Sequence, residues 1–486
     1  MAGSEALYPH RAATGEIKHI GGALMEIEQF YLGCLAHASY LIASDGVAAI
    51  VDPQRDIEIY LDAARKRNVR IEHVIETHLH ADFVSGHHEL AERTGARIYL
   101  GARAGASFPH VAVHDGDGIT LGSIKLTFLE TPGHTLESIC ILVGDLNRSS
   151  EPVAVLTGDT LFIGDVGRPD LGPGYTPQEL AGMLYDSIHS KLLTLPDPVA
   201  VYPAHGAGSL CGRNLSADRS STIGREKATN YALRAVSREE FVALLTAELQ
   251  DRPEYFLRDV EINRRGAPAL TQLKPLAPLP PDDVLGEIER GAIVLDVRDE
   301  DAFGAAHVPG SINIGLDGQF ASWVGSMLGL DVDIIIVAAD DEAAAQVHVR
   351  LARVGIERVI GYLAGGIGAW REGGKSVART PQLDPPQLRT LLEQGRIDQL
   401  VDVRRPAEWE GGVIGPALLR PLNRLSQALD DLDKSRPTVV YCKSGYRSSI
   451  AVGILEREGF ANVSNTRGGF DAWKEAGLAI EARPSP

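Results

Sequence analysis

Cysteine is scarce in this chain, with four in 486 residues and wide spacing between them. That is too few for a disulfide framework, so free thiols in a reducing compartment are expected. Long apolar runs are also missing. No stretch approaches the ~20 apolar residues of a membrane span. The first twenty residues are polar and lack an apolar h-region, so no secretory signal is expected either. A cytoplasmic location fits these two absences. Positive charge is in deficit: 47 Lys and Arg stand against 65 Asp and Glu, for a net charge of −18. A nucleic-acid partner, which needs a basic face, is therefore not expected. What is present is globular, with 44% hydrophobic and 23% charged residues and length enough for roughly two to four domains.

The chain is organised around Glu76-Thr77-His78-Leu79-His80-Ala81-Asp82-Phe83. Residues 71–75 before it read as a buried strand and residues 86–94 after it as a helix, which puts the histidines on a strand-to-helix loop. A lone His near a strand end is ordinarily a core or surface residue. Two His and an Asp crowded into one loop suit a transition metal instead, because imidazole nitrogen and carboxylate oxygen are borderline-to-hard ligands. Further candidates follow downstream. Thr131-Pro132-Gly133-His134-Thr135 offers a third His, Leu156-Thr157-Gly158-Asp159-Thr160 a carboxylate, and Tyr202-Pro203-Ala204-His205-Gly206 a last His.

This ordered set, THxHxD, PGHT, TGD and AHG, resembles the metallo-β-lactamase superfamily over residues 25–265. Hydrolases of that superfamily, such as glyoxalase II, continue the first motif as THxHxDH, and the last His helps hold a second metal. Phe83 stands there in this chain, which argues against a dinuclear centre. The resemblance then implies His78, His134 and Asp159 as ligands of one Fe(II) per chain. That set matches the facial triad of non-haem iron oxygenases, and within the superfamily it is similar to the persulfide dioxygenases. His80, Asp82 and His205 become supporting groups around the metal. Arg168 and Asp170 match a Gly-Arg-x-Asp segment near the substrate; binding the thiol's anionic tail and a plain ion pair are both open. Cys211, on a glycine-rich loop six residues past His205, is a candidate thiol relay. Cys140 reads as a core strand residue.

In chain order, residues 1–22 read as a loose lead-in. Short strands then alternate with helices at 57–68, 178–190 and 238–250, which suits an αββα sandwich with the metal at one edge. Residues 266–282 are proline-rich and aperiodic and read as a linker. Beyond them the sequence repeats itself. Ile293-Val294-Leu295-Asp296-Val297-Arg298 is echoed by Leu400-Val401-Asp402-Val403-Arg404, and the Gly365-Gly366…Ala369-Trp370 element by Gly468-Gly469…Ala472-Trp473. Two α/β domains are expected, at 283–377 and 384–483.

The second copy carries Cys442-Lys443-Ser444-Gly445-Tyr446-Arg447 between a strand and a helix. A Cys under helix N-terminal amides, beside Lys443 and Arg447, is placed to be a thiolate, and the loop amides form an anion nest. The spacing Cys-x4-Arg is tighter than the Cys-x5-Arg of cysteine phosphatases and is similar to the rhodanese sulfurtransferases. That resemblance makes Cys442 and Arg447 catalytic and Lys443, Ser444, Gly445 and Tyr446 substrate-binding. It departs from the family at Gly411-Gly412-Val413-Ile414-Gly415-Pro416, where Gly-His-Ile-x-Gly-Ala is usual. In the first copy Ala339 takes the place of the Cys, followed by Asp340, Asp341 and Glu342, so that copy is expected to be inactive and to serve a structural or docking role.

The whole reads as a metallo-β-lactamase-like αββα sandwich followed by two rhodanese-like α/β domains. The implied activities are oxidation of a thiol persulfide (glutathione, coenzyme A, bacillithiol or mycothiol type) by O2 to sulfite, and sulfur transfer between persulfide and sulfite to give thiosulfate, or the reverse. No membrane partner is expected, and a homo-oligomer is. The alternatives are a zinc thioester hydrolase of glyoxalase II type with a sulfurtransferase tail, and a rhodanese pair that senses persulfide and regulates the first domain.

Overall fold

The computed structural model describes residues 16–19, 26–148, 151–213, 215–235, 237–247, 249, 251–329 and 331–483. They form two compact units. One runs to Leu273 and includes Leu351–Gly355; the other comprises Lys274–Arg350 and the residues from Ile356 onward. Among the described residues, no helix is long and apolar enough to cross a membrane.

Two sheets build the first unit. One has seven strands lying side by side in chain order: Glu16–His19, Glu26–Leu32, His37–Ser44, Val47–Val51, Arg70–Ile75, Arg97–Gly101 and Val111–Val113. The other has six, ordered Ser221–Thr222, Ala200–Pro203, Pro152–Gly158, Ile139–Asp145, Ile124–Glu130 and Gly118–Leu121. Side chains alternate across each strand, so each sheet has two apolar faces to bury. Ile139, Ile141, Val143, Ala154 and Leu156 face inward and meet Tyr40, Ile42, Ala49 and Val51 of the opposite sheet. Cys140 and Val155 point the other way and pack on Ala181, Leu184 and Phe241, which lie on helices Pro177–Ser187 and Arg238–Thr246. On the far side Leu41, Ile50 and Val74 meet Tyr60 and Leu90 of helices Glu58–Arg67 and His87–Thr94. Each such side chain contributes about 1.5–3 kcal/mol on leaving water. The result is the αββα sandwich, with Cys140 in its core as expected.

Several elements differ from their sequence-based bounds. Glu16–His19, inside the expected lead-in, pairs antiparallel with Glu26–Gln29; the rest of that lead-in lies outside the described residues. The helix expected over 178–190 starts at Pro177, where Thr176 and Glu179 form a capping box, and passes after Ser187 into a π-helical turn, Ile188–Leu192. The one expected to reach 250 ends at Thr246.

Two parallel five-stranded sheets build the second unit. The first is ordered Ala277–Leu279, Val359–Leu363, Ile334–Val337, Ile293–Asp296 and Ile312–Asn313. The second is ordered Gln382–Leu383, Val463–Thr466, Thr438–Tyr441, Gln399–Asp402 and Leu418–Leu419. The order is the same in both, as the repeat implies. The shared motifs do the same work twice. Arg298 and Arg404 reach back to Asp296 and Asp402 at 2.5 and 2.6 Å, and the indoles of Trp370 and Trp473 donate to Ser376 O and Ala479 O at 2.7 and 2.8 Å. Residues 277–282 are not linker: Ala277–Leu279 is an edge strand, where its proline costs no inner ladder bond, and a helix begins at Pro281.

Candidate metal centre and thiol loop

Three of the six candidate metal-site residues are held by the same kind of support, a backbone or side-chain partner on the far ring nitrogen or carboxylate oxygen. His78 Nδ1 lies 3.0 Å from Thr77 Oγ1, whose hydroxyl donates to Asp52 Oδ2 at 2.8 Å. Thr77 therefore accepts from His78 Nδ1–H, which leaves the Nε2 lone pair free. His134 Nδ1 lies 3.0 Å from the carbonyl oxygen of Arg168, with the same consequence. Asp159 Oδ1 accepts from His205 Nδ1 at 2.7 Å. What remains of the three groups faces a common point: Asp159 Oδ2 is 3.4 Å from His134 Nε2 and 3.9 Å from His78 Nε2. All three atoms are buried and lack a hydrogen-bond partner. Three orphaned donors meeting in the interior are costly unless a cation joins them, so this set fits a metal.

Glycines in the motifs make the approach possible. Gly133 has φ +147°, and a Cβ there would come 2.4 Å from Leu184 Cα. Gly158 has φ +51° and would bring a Cβ 2.6 Å from Thr77 Oγ1. A side chain at either would displace the loop that presents a ligand.

The other expected residues surround this set. His80 turns away from it: its Nε2 is 3.2 Å from Asp52 Oδ1 and 3.5 Å from Glu76 Oε2. Burial opposes charge on this ring, but the two carboxylates outweigh it and raise the imidazole's pKa. Asp82, His205 and Cys211 gather into a second group, with His205 Nε2 2.9 Å from Asp82 Oδ2. Burial opposes charge on His205 too, yet Asp159 and Asp82 on its two nitrogens raise it well above the ordinary imidazole range. Phe83 is fully buried among these rings, 4.4 Å from His80 and 6.5 Å from His205 between centroids.

Two expectations take a definite form. Arg168 grips Asp170 through Nε–Oδ1 at 2.6 Å and Nη2–Oδ2 at 2.8 Å, and donates from Nη1 to Leu210 O. Of its two readings, the ion pair is what the structure contains, and it also pins the Cys211 loop. Cys211 is buried, and burial together with Asp82 and Asp159 pushes its thiol well up. A neutral, enclosed thiol is a poor nucleophile, which counts against a relay.

Sequence reasoning missed His37. It is fully buried, its ring 4.1 Å from Phe83 and 5.5 Å from His205, and both ring nitrogens lack a partner. It comes from the opposite sheet through a bridge to His205, a pairing that no local motif announces. Asp52, at a left-handed φ of 52°, was equally silent.

In the second unit, Cys442 ends the strand Thr438–Tyr441 and is buried. The Gly445 amide donates to its Sγ at 3.2 Å and the Ser448 hydroxyl approaches at 3.5 Å. Gly445 has φ +105°, the bend that aims its amide back at the sulfur. Gly469 is required too, since a Cβ there would lie 2.5 Å from Cys442 O. Lys443 and Ser444 are exposed. Arg447 is partly spent: both its terminal nitrogens bind Glu408, at 2.6 and 2.7 Å. The loop is thus less cationic than its sequence implies, and the nearest donors are an amide and a hydroxyl. Tyr446 turns its hydroxyl away from the sulfur, to Gly315 O at 2.8 Å. At the matched place in the first copy, Ala339 is followed by Asp340, whose Oδ1 accepts from Ala343 N at 2.8 Å. The acidic run there caps a helix.

Comparison with known proteins agrees with this geometry. Residues 32–205 match the metallo-beta-lactamase superfamily, and residues 280–373 and 384–476 each match the rhodanese-like domain. A metallo-beta-lactamase structure from Staphylococcus aureus shares 33% identity, with a TM-score of 0.64, over 70% of this chain and 99% of that one. Persulfide dioxygenase ETHE1 of Bos taurus is 29% identical over 54% of this chain and 97% of its own length. A cytoplasmic hydroxyacylglutathione hydrolase of Arabidopsis thaliana is 35% identical over 36% of this chain and 66% of its own.

Proposed function

Since the chain belongs to the metallo-β-lactamase superfamily and carries two rhodanese-like domains after that domain, we propose that it is a persulfide dioxygenase joined to a sulfurtransferase. The dioxygenase is assigned to residues 25–265 and the transferase to residues 384–483, with 283–377 as a cysteine-free copy. One observation carries the first assignment: His78, His134 and Asp159 present three buried, unpartnered ligand atoms to one point, while His80 Nε2 faces Asp52 and Glu76 and Phe83 is buried among the neighbouring rings. Two imidazoles and one carboxylate suit a single Fe(II) with open positions, and that iron would supply the redox chemistry that adds both atoms of O2 to the persulfide's terminal sulfur.

The chain's own residues do the rest. Asp52, Thr77 and the Arg168 carbonyl fix the two ligand rings, and His205 holds Asp159 by its inner oxygen. Phe83 and Phe162 are fully buried beside the His205 ring, and charges held away from water interact more strongly. A shallow open pocket lined by Arg168, Pro169, Gly212, Arg213 and Tyr231 is assigned to the polar tail of the thiol carrier. In the last domain the Cys442 thiolate attacks the outer sulfur of RS–SH. An S–S bond forms on Cys442, RS− leaves and takes a proton, and sulfite then removes the sulfane sulfur as thiosulfate, restoring the thiolate.

The similarity to a hydroxyacylglutathione hydrolase keeps a zinc thioester hydrolase as the second reading. Purified protein reconstituted anaerobically and assayed for metal content, O2 uptake with a panel of persulfides, and thioester hydrolysis separates the two. Phe83→His gives a sharper comparison. It restores a ligand type beside Asp82 and His205, so zinc content should rise and dioxygenase turnover should fall. Unchanged metal content and activity would show that Phe83 is not what keeps the site mononuclear.

A further inference from the structure

The helix that follows Cys442, Tyr446–Arg457, is among the most buried in the second unit, with Ser448 to Gly453 all inaccessible. Part of what buries it is the first copy. Tyr446 donates its hydroxyl to Gly315 O at 2.8 Å. Ser449 meets Asn313 Oδ1 at 2.5 Å. Gly453 lies against the strand Ile312–Asn313: a Cβ there would come 3.0 Å from Ile312 Cα and Ser311 O. Glu456 binds His307 Nε2 through Oε2 at 2.9 Å and Thr380 Oγ1 through Oε1 at 2.5 Å. Positions 446, 449, 453 and 456 are three or four residues apart in turn, which is one stripe along a helix. Their partners at 315, 313, 311–312 and 307 run the opposite way along the first copy.

Three features of the sequence are accounted for by this contact. A glycine in the middle of a helix costs about 1 kcal/mol relative to alanine, and Gly453 is justified by the backbone that rests on it. The first copy keeps Ala306-His307-Val308-Pro309-Gly310 although it has no cysteine, and His307 is fully buried with its Nδ1 on Phe303 O and its Nε2 on Glu456. The Tyr446 phenol, at the N-terminus of the helix, is bonded to the first copy rather than to anything in its own loop.

We propose that the cysteine-free copy is a positioning element of the Cys442 site: its segment 307–315 holds the helix Tyr446–Arg457 at the register in which the Gly445 amide and Ser448 hydroxyl point at the sulfur. The first copy touches no reacting atom. It acts through the helix, whose N-terminal amides stabilise a thiolate only while they stay aimed at it. This deepens the assignment of Cys442 as sulfur acceptor and rests on it.

The test uses the full chain with Tyr446→Phe, Ser449→Ala and Gly453→Ala. The first two remove single hydroxyls and keep the fold, so the proposal does not depend on the glycine variant folding. Alkylation of Cys442 by iodoacetamide, followed over time at a fixed pH by peptide mass spectrometry, reads the reactivity of the thiol directly. In each variant alkylation at that pH should slow several-fold, and persulfide loading of Cys442 should slow with it, with little change in the thermal midpoint. Variants that lower the thermal midpoint but keep the wild-type alkylation profile would show the first copy to be a structural neighbour only, and overturn the proposal. Alkylation of the reduced, sulfur-free protein reports on the thiol whether or not that thiol accepts sulfur in turnover. A wild-type chain that never takes up persulfide sulfur would therefore defeat the sulfur-acceptor reading, while the alkylation comparison still decides the positioning claim.

Discussion

His134→Ala should abolish O2 consumption and strip the protein of iron, while sulfur transfer at Cys442 continues at the wild-type rate. His134 supplies one of three atoms that face each other in the interior, with Nε2 3.4 Å from Asp159 Oδ2 and Nδ1 committed to the Arg168 carbonyl. No neighbour can substitute for it. His80 is engaged by Asp52 and Glu76, and His205 has a carboxylate on each nitrogen. Changing even a residue behind a ligand costs about 10–100-fold in metal affinity or activity, so losing a ligand itself should leave little bound metal at ordinary concentrations. Iron content by elemental analysis and O2 uptake by electrode should fall together, from about one iron per chain for the wild type. Two tightly bound zinc ions in the wild type, with turnover of a thioester, would defeat this reading. Loss of both activities in the variant would instead mean that the substitution damaged the whole chain.

The parts of this site that were legible in the sequence are those where chemistry forces residues close together along the chain. A metal needs several ligands at one point, and strand-end loops supply them as short motifs: His78 with Asp82, Gly133 with His134, Gly158 with Asp159. Even the glycines follow, because they let one loop approach Leu184 and another Thr77. The partners that decide what each ligand does were hidden. Asp52 reaches Thr77 across two neighbouring strands, and His37 arrives from the other sheet. Glu408, which takes up Arg447, is 39 residues from it. Periodicity reports which face of an element is apolar and says nothing of which distant carboxylate meets it. The fold divides in the same way. The strand alternation that makes the sandwich was readable, while Ala277–Leu279 was not, because prolines that signal a linker are equally at home on a sheet edge.

The division of labour between the two units gives the prediction with the largest change in product. Cys442→Ser should consume O2 at close to the wild-type rate, yet release free sulfite where the wild type makes thiosulfate. Serine keeps the size of the side chain and can still accept from the Gly445 amide, but it cannot hold a sulfane sulfur. The proposed ligands His78, His134 and Asp159 belong to the other compact unit, so the substitution should leave them untouched. In the proposed reaction sequence sulfite formed at one site would be the acceptor at the other, and tethering two sites commonly raises the effective concentration to the order of mM. The wild type should therefore convert its own product efficiently. Two of the other thiols are poorly placed to stand in: Cys140 is a core residue whose thiol burial raises to about 11, and Cys211 is enclosed beside two carboxylates; Cys34 is half-buried and outside the rhodanese-like domains. The measurement is product analysis under excess persulfide by ion chromatography. Sulfite and persulfide react slowly without a catalyst, so short times and a no-enzyme blank set the baseline. Thiosulfate formed by the variant at the wild-type rate above that blank would show that the last domain is not the sulfur-transfer site, and would return Cys211 to consideration.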